Sequence, residues 1–70
     1  MTLRDFTTMS ERAKTEVVEL WGNQLVEKVV PGYHVRVYQV HDFYVEVYYN
    51  SQTYKTERHR ACIRKETVCS

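Results

Sequence analysis

The sequence is poor in several residue types that particular classes of protein require. Its two cysteines are too few for a disulfide scaffold, and its two glycines are too few for a phosphate-binding loop. No apolar run approaches the ~18 residues of a membrane span, and no signal-peptide pattern opens the chain. The net charge of +1 creates no bulk field that would attract nucleic acid or an acidic partner. These shortages indicate a small soluble protein that crosses no membrane and is expected in the cytoplasm.

The length of 70 residues is enough for a single domain, which we place at residues 1–70. A chain of this length buries only about 60% of its unfolded surface, so its core is small and its stability margin narrow. The composition, 43% hydrophobic and 27% charged, is too apolar for a disordered chain. We therefore expect a folded domain that gains stability by association.

The first third of the sequence predicts one helix over residues 9–21, after a loose lead-in at residues 1–8. Thr8 and Glu11 have the spacing of a capping box, in which each side chain accepts a backbone N–H of the first turn. Apolar side chains then recur at the spacing of one helix face, at Ala13, Val17, Leu20 and Trp21. This pattern indicates a helix that packs on one side.

The end of this helix has two interpretations. Gly22 is a natural stop, because glycine tolerates the left-handed backbone that often ends a helix. The alternative is a helix that continues to Val29, which would keep Gly22 inside it at a cost of about 1 kcal/mol. We favour the stop, because residues 24–30 are rich in β-branched side chains and Pro31-Gly32 then fits a tight turn.

Residues 24–63 predict an antiparallel sheet. Apolar and polar side chains alternate on both sides of His41-Asp42, and residues 50–52 form a second polar turn. All connections are too short for a parallel crossover, so four strands should follow one another as a meander. The expected fold class is α+β, with the N-terminal helix packed on one face of a four-stranded antiparallel meander sheet and residues 64–70 as a frayed tail.

The register of the central hairpin follows from the requirement that apolar side chains share a face. A three-residue loop, residues 41–43, sets Val37 opposite Val47. A two-residue loop would set Val37 opposite Glu46, and burying a lone carboxylate costs several kcal/mol. We therefore predict the three-residue loop, with four valines beneath the helix: Val35, Val37, Val45 and Val47.

The tyrosines suggest a contact surface. All six lie between residues 33 and 54, and the predicted register places several on the face away from the helix. Tyrosine suits a half-buried sheet without any function, but tyrosine together with arginine is also typical of protein interfaces. We predict a non-catalytic interaction module, most simply a homodimer, whose interface residues are Tyr38, Tyr44, Tyr48 and Arg36.

Nucleic-acid binding is the alternative. The segment 55–65 is basic, and neighbouring tyrosines could stack on RNA or DNA bases; its cations are Lys55, Arg58, Arg60, Arg64 and Lys65. A helix followed by antiparallel strands resembles double-stranded RNA-binding domains, although their second helix is missing. Cations on a terminal strand also have a simpler use, since they prevent edge-to-edge aggregation.

Catalytic and metal-binding patterns are absent from the sequence. It contains no HExxH, GxSxG or P-loop spacing. His59 and Cys62 would point to opposite faces of a strand, and a structural zinc ion needs four ligands. A disulfide between Cys62 and Cys69 is an alternative, but reduced thiols suit a cytosolic chain. We expect no enzyme activity, no metal and no cofactor.

The segment from Val37 to Tyr49, preceded by Leu20-Trp21, resembles a group of small uncharacterised bacterial proteins. These proteins share an N-terminal helix and a hairpin with the pattern YQ…FYVEV. The resemblance covers about half of the chain and its motif is structural. It implies a bacterial, intracellular origin, and it supplies no functional residues because the group has no established activity.

Overall fold

A computed structural model describes residues 1–63 of the chain, so the predicted tail at residues 64–70 lies outside the described residues. Two helices precede four strands: α1 (Leu3–Thr7), α2 (Glu11–Trp21), β1 (Asn23–Val30), β2 (Tyr33–Val40), β3 (Phe43–Asn50) and β4 (Thr56–Cys62). The strands form one antiparallel sheet in the order β1-β2-β3-β4. The α+β class and the meander are therefore confirmed. Within this part of the chain, no helix is long and apolar enough to cross a bilayer.

The lead-in predicted at residues 1–8 contains a short helix, α1. Its capping box is formed by Thr2 and Asp5: the Thr2 hydroxyl accepts from the Asp5 N–H at 3.1 Å, and the Asp5 carboxylate accepts from the Thr2 N–H at 3.3 Å. The side chain of Phe6 is buried against Phe43, with the ring centroids 5.5 Å apart. This segment is thus part of the core rather than a loose lead.

Helix α2 begins at Glu11, two residues later than expected, and its N-cap is Ser10. The Ser10 hydroxyl accepts from the Ala13 N–H at 3.2 Å. Thr8, the predicted cap, instead ends α1, and its hydroxyl donates to the Asp5 carbonyl at 2.8 Å. The predicted capping box is wrong because two candidate caps lie two residues apart and the short helix already uses Thr8.

Helix α2 ends at Trp21 and β1 begins at Asn23, which confirms the stop at Gly22 and excludes a helix through Val29. The expected reason is wrong, because Gly22 has an extended backbone with φ −82°. Glycine is needed here for space: a Cβ would lie 2.6 Å from the carbonyl oxygen of Val18 and 3.2 Å from the ring of Tyr38. The chain therefore turns from helix to strand with its backbone packed tightly against β2.

The predicted register of the central hairpin is wrong. The loop has two residues, His41 and Asp42, and Val37 lies opposite Glu46. Glu46 is only 2% exposed, but it is not a lone carboxylate. The Lys28 ammonium lies 3.2 Å from its Oε2, and the Tyr48 hydroxyl donates to its Oε1 at 3.2 Å. These partners offset the desolvation cost on which the prediction relied.

This register divides the valines between two faces of the sheet. Val45 and Val47 lie on the face that packs against α1 and α2, here called the helix face, together with Val40 and Phe43. Val35 and Val37 alternate with the β2 side chains of that face, so they point to the opposite side, here called the outer face. Both are nevertheless buried. The expectation that all four valines lie beneath the helix is therefore wrong.

Candidate interaction surfaces

The four residues predicted as an interface do not form one surface. Tyr38 packs against the core of the helix face, and Arg36 shares that face because it lies two residues away on β2. Tyr44 and Tyr48 lie on the outer face. The cause is the register: a shift of one residue exchanges the faces of one strand relative to the next.

Arg36 and Tyr38 belong to a hydrogen-bonded group on the helix face. Arg36 Nε donates to the Glu27 carboxylate at 3.2 Å, and its guanidinium lies 5.1 Å from the centre of the Tyr49 ring. Hydrogen bonding to Tyr38, and then to Glu27, raises the pKa of Arg36. Burial, followed by the neighbouring Tyr38 hydroxyl, raises the pKa of Tyr49 to about 12. Tyr49 therefore remains a neutral phenol at physiological pH.

Two tyrosines of the outer face, Tyr33 and Tyr48, are already engaged in packing within the sheet. The Tyr48 ring contacts Tyr33 edge-on, with centroids 5.9 Å apart, and the guanidinium of Arg58 lies 4.5 Å from its centre. Its hydroxyl is bonded to the buried Glu46. A partner that stacked on Tyr48 would have to displace the guanidinium of Arg58.

The predicted nucleic-acid residues are divided in a similar way. Arg58 and Arg60 are exposed on the outer side of β4, opposite Tyr48 and Glu46. Lys55 lies in the loop between β3 and β4. Arg64 and Lys65 lie outside the described residues. The described cations thus supply two neighbouring guanidinium groups rather than a continuous basic stripe.

The edge strand β1 is the largest feature that the sequence analysis missed. It pairs with β2 on one side only, and every residue from Asn23 to Val29 is exposed. Val29 is 69% exposed, and Leu20 and Trp21, just before the strand, are 76% and 60% exposed. Leu25 and Val26 are also exposed. Exposed apolar side chains therefore occur just before this strand and at three positions within it.

The charged side chains of β1 form ion pairs across the sheet and do not lie along its unpaired edge. The Glu27 carboxylate bonds to Arg36 on β2, and the Lys28 ammonium reaches the buried Glu46 on β3. Both charges are therefore directed back over the sheet. On natural edge strands, charged side chains commonly prevent pairing with another chain, and here that protection is reduced.

The opposite edge of the sheet is of a different kind. Strand β4 has the sequence TERHRAC, with exposed side chains at Glu57, Arg58 and Arg60. Such alternating charges discourage strand pairing. Of the two edges, β1 is the one whose chemistry favours a partner. The three valines and one leucine in residues 24–30 indicate a strand with apolar side chains. Its edge position and its exposure follow only from the sheet order and the register.

His59 forms the most buried polar cluster on the helix face. Its side chain is 1% exposed, its Nδ1 lies 3.2 Å from the Glu11 carboxylate, and its Nε2 lies 3.4 Å from the Thr15 hydroxyl. Burial lowers the pKa of His59, Glu11 opposes this effect, and Lys14 adds to it. The Thr15 hydroxyl also lies 3.0 Å from the Glu11 carbonyl, to which it donates. The cluster thus ties β4 to the first turn of α2.

Cys62 is half-buried at the end of β4, opposite Tyr44. It is disulfide-bonded, so the expectation of a reduced thiol is wrong. Cys69, the other cysteine of the sequence, lies outside the described residues. Among residues 1–63, no group of three or more His, Cys, Asp or Glu side chains is arranged to hold a metal ion.

Comparisons with known proteins add no further assignment. No protein-family model matches the chain, and neither a curated protein nor a solved structure matches it.

Proposed function

We propose that this protein is a non-catalytic interaction module that self-associates by pairing β1 of one copy with β1 of a second copy. The observation that supports the proposal is the apolar, exposed β1 edge, whose two charged side chains are bonded to β2 and β3. Pairing would satisfy the outward N–H and C=O groups of both strands and join two four-stranded sheets into one.

A second copy is the partner that the strand sequence favours. In an antiparallel pair centred on Val26, beside the bulge between Gln24 and Val26, Glu27 and Lys28 lie opposite the uncharged segment 24–25 of the other copy. A pair centred on Glu27 would instead set two carboxylates against each other, which destabilises a strand pair. The β1 sequence is therefore compatible with two-fold self-pairing, which is the commonest closed symmetry of soluble oligomers.

Exposed apolar area supplies a driving force for the association. Trp21, Leu25 and Val29 all lie along or beside the edge and are substantially exposed. Removing apolar surface from water is worth roughly 25 cal/mol per Å². A domain with so small a core gains stability when it covers such side chains.

The test is sedimentation equilibrium of the wild type and two lysine variants, from low to high micromolar concentration. Val29→Lys places a charge on the exposed edge and should yield a monomer. Ile63→Lys is the matched control, because Ile63 is an equally exposed apolar residue, 65% against 69%, that follows β4. The control should associate like the wild type. A wild type that is monomeric throughout, or a Val29→Lys variant that associates unchanged, would refute the proposal.

Nucleic-acid binding is the second candidate, and one observation favours it. Arg58 and Arg60 lie on the same face as Tyr44 and Tyr48. We expect binding to single-stranded RNA or DNA, if it occurs, to weaken with rising salt and to be lost in Arg58→Ala/Arg60→Ala. The absence of a mobility shift at low salt would eliminate this candidate.

A cytoplasmic location is likewise a proposal, and the oxidation state of Cys62 bears on it. The disulfide at Cys62 argues against it, because cytosolic thiols are usually kept reduced. Fractionation of the source cells, with alkylation of free thiols before lysis, would decide between the two.

A further inference from the structure

A pocket of about 240 Å³ lies at the end of the sheet where β2 begins and β3 ends. Its walls come from β1, β2, β3 and the loop between β3 and β4. The lining residues are Glu27, His34, Arg36, Tyr49 and Tyr54. Three of these five side chains are aromatic rings, one is a guanidinium and one is a carboxylate, so the pocket combines flat apolar walls with a small number of charged groups.

Tyr54 stands at the mouth of the pocket in an unusual conformation. Its φ is 60°, in the left-handed region that large side chains rarely adopt, and its residue is 71% exposed. Its ring lies 6.1 Å from that of His34. Burial therefore does not explain why a large aromatic residue occupies this position. Strain of this kind tends to collect where it serves a site.

The loop that carries Tyr54 is held firmly by hydrogen bonds. The Tyr54 N–H donates to the Asn50 carbonyl at 2.7 Å, and the Asn50 N–H donates to the Lys55 carbonyl at 2.9 Å. The Asn50 side-chain oxygen accepts from the N–H groups of Gln52 and Thr53 at 2.8 and 3.1 Å. The backbone that carries Tyr54 is thus fixed in advance, which lowers the entropic cost of using this residue in a binding site.

Arg36 provides the polar contact. Its guanidinium has five N–H donors, more than its partners Glu27 and Tyr38 require. It is oriented by the Tyr49 ring beneath it and by the bond from Nε to Glu27. The remaining N–H groups can donate to both oxygens of a carboxylate, in the bidentate geometry that arginine favours.

The charge of the pocket restricts the ligand further. The Glu27 carboxylate is 3.2 Å from Arg36 Nε and 4.0 Å from His34 Nδ1, so it offsets the positive charge of the arginine. A dianion such as phosphate would meet this carboxylate at close range and be repelled. A single negative charge on a flat ring matches the pocket better.

We propose that this pocket binds a small planar aromatic monocarboxylic acid, with the carboxylate on Arg36 and the ring stacked on Tyr54, beside His34. The pocket shares only Glu27 with β1; its other lining residues belong to β2, β3 and the loop between β3 and β4. Its occupation does not depend on self-association, so the two proposals fail or succeed independently.

The test is titration of the isotope-labelled protein with benzoate, followed by NMR. Two ligand controls match benzoate closely: cyclohexanecarboxylate keeps the charge and loses the aromatic ring, and benzamide keeps the ring and loses the charge. Saturable shifts centred on His34, Arg36 and Tyr54 are expected for benzoate, with both controls at least about tenfold weaker.

Three variants complete the test. Arg36→Gln and Tyr54→Gly should each weaken benzoate binding at least about tenfold. Tyr54→Gly is expected to fold, because glycine adopts a positive φ readily and the lost ring is exposed. Tyr33→Phe, on the outer face, is the control and should bind benzoate like the wild type.

Two results would overturn the proposal. One is no saturable shift with benzoate up to about 10 mM, which is about ten times a Kd of roughly 1 mM. The other is binding that persists unchanged in Tyr54→Gly or Arg36→Gln, since both the aromatic wall and the guanidinium are required. Equal binding of inorganic phosphate would also contradict it, because Glu27 should exclude a dianion.

Discussion

Replacing Lys28 with methionine tests why the sheet accepts Glu46 opposite Val37, a position at which the sequence analysis placed Val47. Glu46 is 2% exposed, and its Oε2 lies 3.2 Å from the Lys28 ammonium. The Tyr48 hydroxyl bonds to Oε1, and Arg60 lies opposite Glu46 in the register of β3 and β4. The variant removes one of these partners and leaves the carboxylate in place.

The expected loss can be scaled from the burial of the two side chains. Breaking a fully buried ion pair costs about 3–5 kcal/mol. The Lys28 side chain is 46% exposed and is therefore screened by water, so we expect about 1–2 kcal/mol. In a domain of this size, each kcal/mol lowers Tm by about 4–8 °C.

Substitutions of Lys28 and Glu46 should lower the free energy of unfolding by different amounts. Glu46→Leu leaves Lys28 free to turn into water, so its cost should be smaller than that of Lys28→Met. In the double variant both charges are replaced by apolar groups, and most of the stability lost in Lys28→Met should return. The inequality comes from the exposure of the two side chains, 2% against 46%, and not from the distance between them.

Urea unfolding of the wild type, both single variants and the double variant measures all four free energies of unfolding. The reasoning fails if Lys28→Met costs less than Glu46→Leu, or if the double variant is no more stable than Lys28→Met. Either outcome would mean that Lys28 does not compensate the burial of Glu46, and the observed register would need another explanation.

Two further predictions concern titration and backbone space. Burial lowers the pKa of His59 from its ordinary value of 6.5, so the unfolded chain binds more protons than the folded one just below that pH. The contribution of neutral His59 to the free energy of unfolding should be fully present above pH 6.5 and be lost as the pH falls below it. Thermal melts between about pH 8 and 5 should show this slope, and His59→Leu should flatten it. Gly22→Ala should cost about 1–3 kcal/mol, because the new Cβ would lie 2.6 Å from a backbone oxygen, that of Val18. Gly32→Ala is the control, because Gly32 has a φ of +85° and no neighbour within 4 Å of the added Cβ, so only backbone strain of about 1–2 kcal/mol is expected. Urea unfolding measures the loss in both variants, and NMR measures the amide shifts of β1 and β2. If both variants lose the same free energy of unfolding and Gly22→Ala leaves those amide shifts unchanged, the role assigned to Gly22 is contradicted.

Much of the fold could be predicted from local patterns. The presence of α2, its end at Gly22 and the meander of four strands each depend on short stretches of sequence. The predicted packing face of α2 is wrong at Leu20 and Trp21, which are exposed, whereas Val17 and Val18 are buried. The N-terminal segment was harder, because α1 has only five residues and depends on the packing of Phe6 against Phe43. A helix of that length has no stability of its own.

The candidate surfaces could not be predicted, because they depend on the register of β2 and β3. The predicted interface joined Tyr38 and Arg36 to Tyr44 and Tyr48, and the two-residue loop separates these pairs onto opposite faces. The burial of Glu46 in this register is compensated in part by Lys28, which lies 18 residues from Glu46 in the sequence. That contact lies outside the hairpin, so a comparison of the two hairpin registers alone does not include it.

The sequence by itself determined α2, the four strands, their order and the small size of the core, because these follow from periodicity, turn residues and chain length. Tertiary structure decided which face each strand presents, which edge is left apolar and how Tyr54 and Arg36 come to line one pocket. The physical reason is that side chains in a sheet alternate every residue, so a shift of one residue in the register exchanges the two faces of a strand.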